Sequence, residues 1–154
     1  MDATFDHVTL AVFDVEEAVQ FFGVLGFVVT KSVEISGAEM DDYMGIAGMD
    51  ADHVTLAIPG AEPHQEVQLL HFRRPEQLVD RNSGDLAGTG MNHFCFRVED
   101  LDATVAAFAA AGFPTRAQVM DFHDRKLVFL VGPANVVVEL AEWHGAAATG
   151  ERPD

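Results

Sequence analysis

"FDHVTLAVFDVEEAVQFFGVLGF" (residues 5–27) and "MNHFCFRVEDLDATVAAFAAAGF" (residues 91–113) run side by side without a gap, residue 5 on residue 91. In the later copy, His93-Phe94-Cys95-Phe96-Arg97-Val98 alternates with the period of two expected of a strand with unlike faces, placing His93, Cys95 and Arg97 on one of them. Asp100 then fits a helix N-cap, Leu101, Val105, Phe108 and Ala109 follow at helical spacing, and Gly112 fits the glycine that ends the helix. The earlier copy repeats this punctuation, with a strand from His7 to Val12, a cap at Asp14, apolar Val15, Val19 and Phe22, and Gly26-Phe27 answering Gly112-Phe113. A single duplication excludes a stacked solenoid, which needs about three or more repeats, and points to a pseudo-twofold pair.

The ends of the repeats also correspond, Val67-Gln68-Leu69 standing on Val138-Glu139-Leu140. The first unit carries about 15 extra residues between its helix and its last strand, within residues 31–62, a length at which loops often cover binding sites. Tyr43, Met40, Met44 and Met49 in that insertion form either an apolar lid or a core patch. Module one therefore spans residues 5–72, a polar, turn-rich connection residues 73–90, and module two residues 91–143 of a single domain, with residues 144–154 as a flexible tail. Each module reads as strand, helix and about three strands, which makes the fold class α+β.

Composition narrows the function classes. The formal charge of −16, with 9 basic against 25 acidic residues, repels phosphate backbones and anionic membrane surfaces, so neither nucleic acid nor a membrane is the expected partner. No apolar run reaches the length of a membrane span. The single cysteine, Cys95, rules out an internal disulfide framework and suits a reducing compartment. The stretch MDATFDHVTL is acidic where an export leader would be basic, so a cytoplasmic location is expected.

Superposing the repeat puts His7 on His93 and Gln68 on Glu139, two symmetry-related pairs of side chains able to bind a metal. If the two sheets face each other, two imidazole nitrogens and two oxygens converge, a set suited to one divalent Zn, Ni, Co, Mn or Fe ion with positions left for water or substrate. Glu66 points to the same strand face as Gln68 and is the alternative second ligand.

These stretches, with "VQLLHF" (67–72) and "VGPANVVVELAEW" (131–143), resemble the vicinal oxygen chelate superfamily, which includes glyoxalase I, methylmalonyl-CoA epimerase, extradiol dioxygenases, fosfomycin-resistance enzymes and bleomycin-binding proteins. The resemblance spans residues 5–143 and implies two tandem βαββββ modules forming an open barrel around a metal site. It also implies His7, Gln68, His93 and Glu139 as the metal ligands, with Glu139 as the catalytic base. The implied activity is that of a divalent-metal-dependent lyase or isomerase of glyoxalase type, acting on a small oxygen-bearing substrate through a metal-stabilised enediolate. An extradiol-type Fe(II) dioxygenase, using the two-histidine, one-carboxylate triad, and an antibiotic-binding or resistance protein without catalysis are the alternatives. Relatives of this kind often pair, so a homodimer is expected.

Arg97, on the face of His93, and His123 and Arg125, just before the strand that begins at Leu127, are the candidates for binding a substrate anion. Each has a plainer alternative, an ion pair for Arg97 and a solvated turn for His123 and Arg125. Cys95 reads as a small packed residue, and His53, His64, His71 and His144 as structural or solvent-facing.

Overall fold

The computed structural model describes residues 2–144, so the part of the expected tail at residues 145–154 lies outside the described residues. The chain divides into two compact units, with the boundary between Asp80 and Arg81.

The first unit comprises β1 (Val8–Ala11), α1 (Val15–Gly23), β2 (Val28–Ser36), α2 (Ala38–Met44), β3 (Asp50–Ala57) and β4 (Glu66–Arg74). Its four strands lie in the order β1-β4-β3-β2, with β1 parallel to β4 and the remaining pairs antiparallel. Asp14 caps α1 by accepting the Glu17 amide at 2.9 Å. Gly26 ends the helix at φ 89°, in the left-handed region that glycine enters without strain. Phe27 then donates its amide to the Phe22 carbonyl, closing the turn and returning an aromatic ring to the core. That core holds Ala18, Phe21 and Phe22 of the helix with Leu10, Val54, Leu56, Val67 and Leu69 of one sheet face.

The second unit comprises β5 (Phe94–Arg97), α3 (Leu101–Ala110), β6 (Met120–Phe122), β7 (Arg125–Val131) and β8 (Val137–Trp143), with a 3-10 turn at Pro133–Asn135. Its strand order β5-β8-β7-β6 copies the first sheet, again with the first strand parallel to the last. Asp100 accepts the Ala103 amide at 2.8 Å, Gly112 has φ 91°, and Phe113 donates to the Phe108 carbonyl, so helix start and stop repeat those of α1. Leu101 and Phe108 of α3 are buried, as are Val128, Leu130, Val138 and Leu140 of the sheet, whereas Ala109 is exposed despite its helical spacing. A residue with so little apolar surface has little to gain from the core.

The α+β class and the tandem architecture thus agree with the repeat. Each unit runs strand, helix, three strands among the described residues, one strand fewer than the βαββββ count. The insertion is a long β2–β3 hairpin bearing α2, instead of a loop: Met49 is buried in the core, while Tyr43 is exposed. His144 donates its amide to the Asp124 carbonyl at 2.7 Å, so the first residue of the expected tail is fastened to the sheet. No described helix is long and apolar enough to cross a membrane.

Candidate functional site

In the first unit, the register Thr9↔Gln68↔Thr55 puts Thr9, Thr55 and Gln68 on the sheet face opposite α1, with Glu66 and His53 beside them. Gln68 is half-buried at the centre of this face. Its Oε1 accepts from Thr9 Oγ1 at 3.3 Å and lies 2.9 Å from His53 Nε2, while its Nε2 donates to Glu66 Oε1 at 2.7 Å. Glu66 Oε2 lies 3.1 Å from His64 Nε2. Hydrogen bonding from Gln68 first, then from His64, holds the Glu66 carboxyl below the usual glutamate range, and His7 adds a smaller electrostatic contribution. His7 itself precedes β1 by one residue, and its Nδ1 donates to the Asp6 carboxylate at 2.5 Å.

In the second unit, Glu139 is the register partner of Cys95, the residue that stands on Thr9 in the repeat. His93 Nε2 lies 3.6 Å from Glu139 Oε2, with the carboxylate side chain only 14% exposed. The tautomer of His93 follows from its neighbours. Asn92 Nδ2 donates to the Leu86 carbonyl, which turns Asn92 Oδ1 toward His93 Nδ1 at 2.7 Å. An amide oxygen accepts only, so Nδ1 carries the ring proton and the lone pair of Nε2 faces the carboxylate. Two acceptors facing each other across such a gap call for a shared positive charge, either a second ring proton or a metal ion, and a nitrogen–oxygen donor set suits a divalent transition ion. In the first unit Asp6, which stands on Asn92 in the repeat, likewise takes the Nδ1 proton of His7 and leaves Nε2 as the open nitrogen. The second unit thus brings His93 to Glu139, whereas in the first unit His7 contacts Asp6 and Gln68 contacts Thr9, His53 and Glu66. Among the described residues no group of three or more His, Cys, Asp or Glu side chains gathers as a metal cluster.

The other expected site residues fall differently. Arg97 and Arg125 lie on the face of Glu139, through the pairings Arg97↔Ala141 and Arg125↔Trp143. The Arg125 guanidinium sits 4.4 Å from the centre of the Trp143 ring, and its Nε is shielded from solvent without a hydrogen-bond acceptor. His123 occupies the β6–β7 turn at φ 56°, exposed and packed against Phe122, which fits the solvated-turn alternative. Cys95 is exposed as a residue, yet crowding around its sulfur, followed by the Glu139 carboxylate, pushes the thiol up to about 12.

Two residues escaped the sequence reading. Phe129 meets the His93 ring edge-on at 5.2 Å and supports its orientation. His53 is no bystander histidine: it lies against Gln68. The period-two pattern of β3 put His53 and Thr55 on one face, but its register against β4 was not legible locally.

The match to known proteins is broad. Residues 6–129 match the family described as the Glyoxalase/Bleomycin resistance protein/Dioxygenase superfamily. Lactoylglutathione lyase of Schizosaccharomyces pombe is 26% identical over 145 residues, and the chain spans 44% of that protein's length. A glyoxalase family protein from Bacillus cereus superposes with a TM-score of 0.83 at 21% identity, over 92% of this chain and 94% of that one. A fosfomycin resistance protein from Listeria monocytogenes, solved with Mn(II), superposes with a TM-score of 0.59 at 16% identity, over 98% of this chain and 100% of that one. By that match over residues 6–129, and in keeping with its duplicated strand order, the chain belongs to the Glyoxalase/Bleomycin resistance protein/Dioxygenase superfamily.

Proposed function

We propose that the protein is a divalent-metal-dependent enzyme of glyoxalase type, a lyase or isomerase that moves a proton at a carbon next to a carbonyl in a small substrate. In this reading His7, Gln68, His93 and Glu139 are the metal ligands, and Glu139 also receives the substrate proton. The observation that carries the reading is the Nε2 lone pair of His93 turned toward a shielded carboxylate at 3.6 Å. The lactoylglutathione lyase relative favours lyase chemistry within the superfamily.

A divalent ion bound there would polarise the substrate oxygens and acidify the adjoining C–H. The residues of the chain do the rest. Glu139, 14% exposed and 3.6 Å from His93 Nε2, is the carboxylate that would receive the substrate proton. Arg125, stacked on Trp143, and Arg97 on the same face would hold a substrate anion. The working protein in this reading is a cytoplasmic homodimer.

The test is the metal content of freshly purified protein beside that of a His7→Ala, Glu139→Ala double variant, followed by hydrogen–deuterium exchange at the carbon next to the carbonyl of 2-hydroxy-carbonyl compounds. About one ion per chain, lost in the variant, with exchange only in the loaded protein, is the expected result. Absence of metal even after reloading, or Fe(II)-dependent oxygen uptake with catechols, would reject it.

A further inference from the structure

Gln68 has three hydrogen-bonding neighbours to sort between one oxygen and one amino group. Gln68 Nε2 donates to Glu66 Oε1 at 2.7 Å, and a carboxylate oxygen only accepts, so the amino group of Gln68 is the one turned to Glu66. The carboxamide oxygen is thereby turned to Thr9 and His53. An amide oxygen cannot donate, so His53 must present Nε2–H to it at 2.9 Å. Thr55 opposite Gln68 fixes the register that brings His53, two residues earlier on β3, diagonally across to the carboxamide.

We propose that His53 is a positioning residue: it donates Nε2–H to Gln68 Oε1 and, with Glu66 on the amino side, locks the carboxamide in one of its two flips. The proposal rests on the metal-site reading for its consequence to binding, whereas the orientation itself stands independently. It also accounts for glutamine at position 68, where a second carboxylate would meet Glu66 at the 2.7 Å now spanned by a hydrogen bond. His53 acts on Gln68 alone and touches no reacting atom.

The experiment uses nitrogen-15-labelled, metal-free full chain at pH 8, with His53→Leu and His53→Gln variants, and Ni(II) titration of each. In the parent protein the ring proton of His53 is expected on Nε2, and the Gln68 carboxamide proton donated to Glu66 is expected to exchange slowly with solvent. His53→Leu should speed that exchange and weaken Ni(II) binding about tenfold to a hundredfold, the usual cost of losing a group that orients a metal ligand. His53→Gln, which returns an N–H at similar reach, should restore both. A ring proton found on Nδ1, or Gln68 exchange unchanged in His53→Leu, would overturn the proposal. So would His53→Gln and His53→Leu losing Ni(II) as fully as His7→Ala, because His53 would then be a ligand itself. If the parent protein takes up no divalent ion, the metal-site reading fails, and the ring proton and Gln68 exchange still decide the role of His53.

Discussion

Asn92 aims His93: the Asn92 carboxamide is anchored on the Leu86 carbonyl and holds Nδ1 of the ring, so Nε2 faces Glu139 across 3.6 Å. Asn92→Ala should free the ring to exchange tautomers and weaken divalent-ion binding about tenfold, while Asn92→Asp, which still accepts from Nδ1, should not. Isothermal titration with Ni(II) checks both. Glu139→Gln removes a charged donor outright and should cost more than Asn92→Ala does.

The thiol of Cys95, raised to about 12, stays protonated at neutral pH. Alkylation at pH 8 should run about fiftyfold slower than for a free thiol, the loss of thiolate being partly offset by its greater nucleophilicity. Its rate should go on rising well beyond pH 9, where an ordinary cysteine levels off. Glu139→Gln removes one of the causes of the raised value and should speed the reaction. Iodoacetamide kinetics across pH separate these outcomes.

Acid stability should depend on the ion network at one end of the first sheet. Arg73 donates to Asp50 through Nε at 3.0 Å and also pairs with Asp52. The Asp50 carboxyl is held below its ordinary 3.8, first by the hydrogen bond from Arg73. With the folded value depressed, the stabilisation is complete above the unfolded value and is lost as pH falls through the folded one. Asp50→Asn should therefore lower Tm at pH 7, with the gap to the parent closing as pH falls below 3.8. Melting curves across that range test the sign.

Helix starts offer a matched pair of measurements. Asp14→Ala and Asp100→Ala each remove an acceptor from a first-turn amide and should each cost about 1 kcal/mol in urea unfolding. Glu142 reaches from β8 to accept the Leu101 amide at 2.7 Å, so Glu142→Ala should destabilise the second unit by about 1 kcal/mol as well.

Local signals account for what was legible. The aspartate caps, the Gly-Phe helix ends and the alternation of β1 and β5 each involve residues a few positions apart, so a duplicated string exposes them directly. The strand starts lie one residue past His7 and His93, a difference at the frayed edge of each ladder. The α2 helix was hidden because AEMDDYM has no buried face, and it is tied down by the Asp41 carboxylate accepting the Gly48 and Met49 amides. His53 against Gln68, and Glu142 against Leu101, depend on register between distant strands, which no local pattern records.

Within each unit the strand that opens the chain is bonded to the strand that closes it, Val8 beside Val67 and Phe94 beside Val138. Helix and hairpins can form from neighbours in sequence, but this parallel pairing must wait for the longest loop in the unit to close. If Gln68 and Glu139 hold an ion as proposed, ion binding is a gauge of complete folding. A fragment ending before Glu66 keeps the sequence of α1 and the β2–β3 hairpin but lacks the strand that carries Gln68.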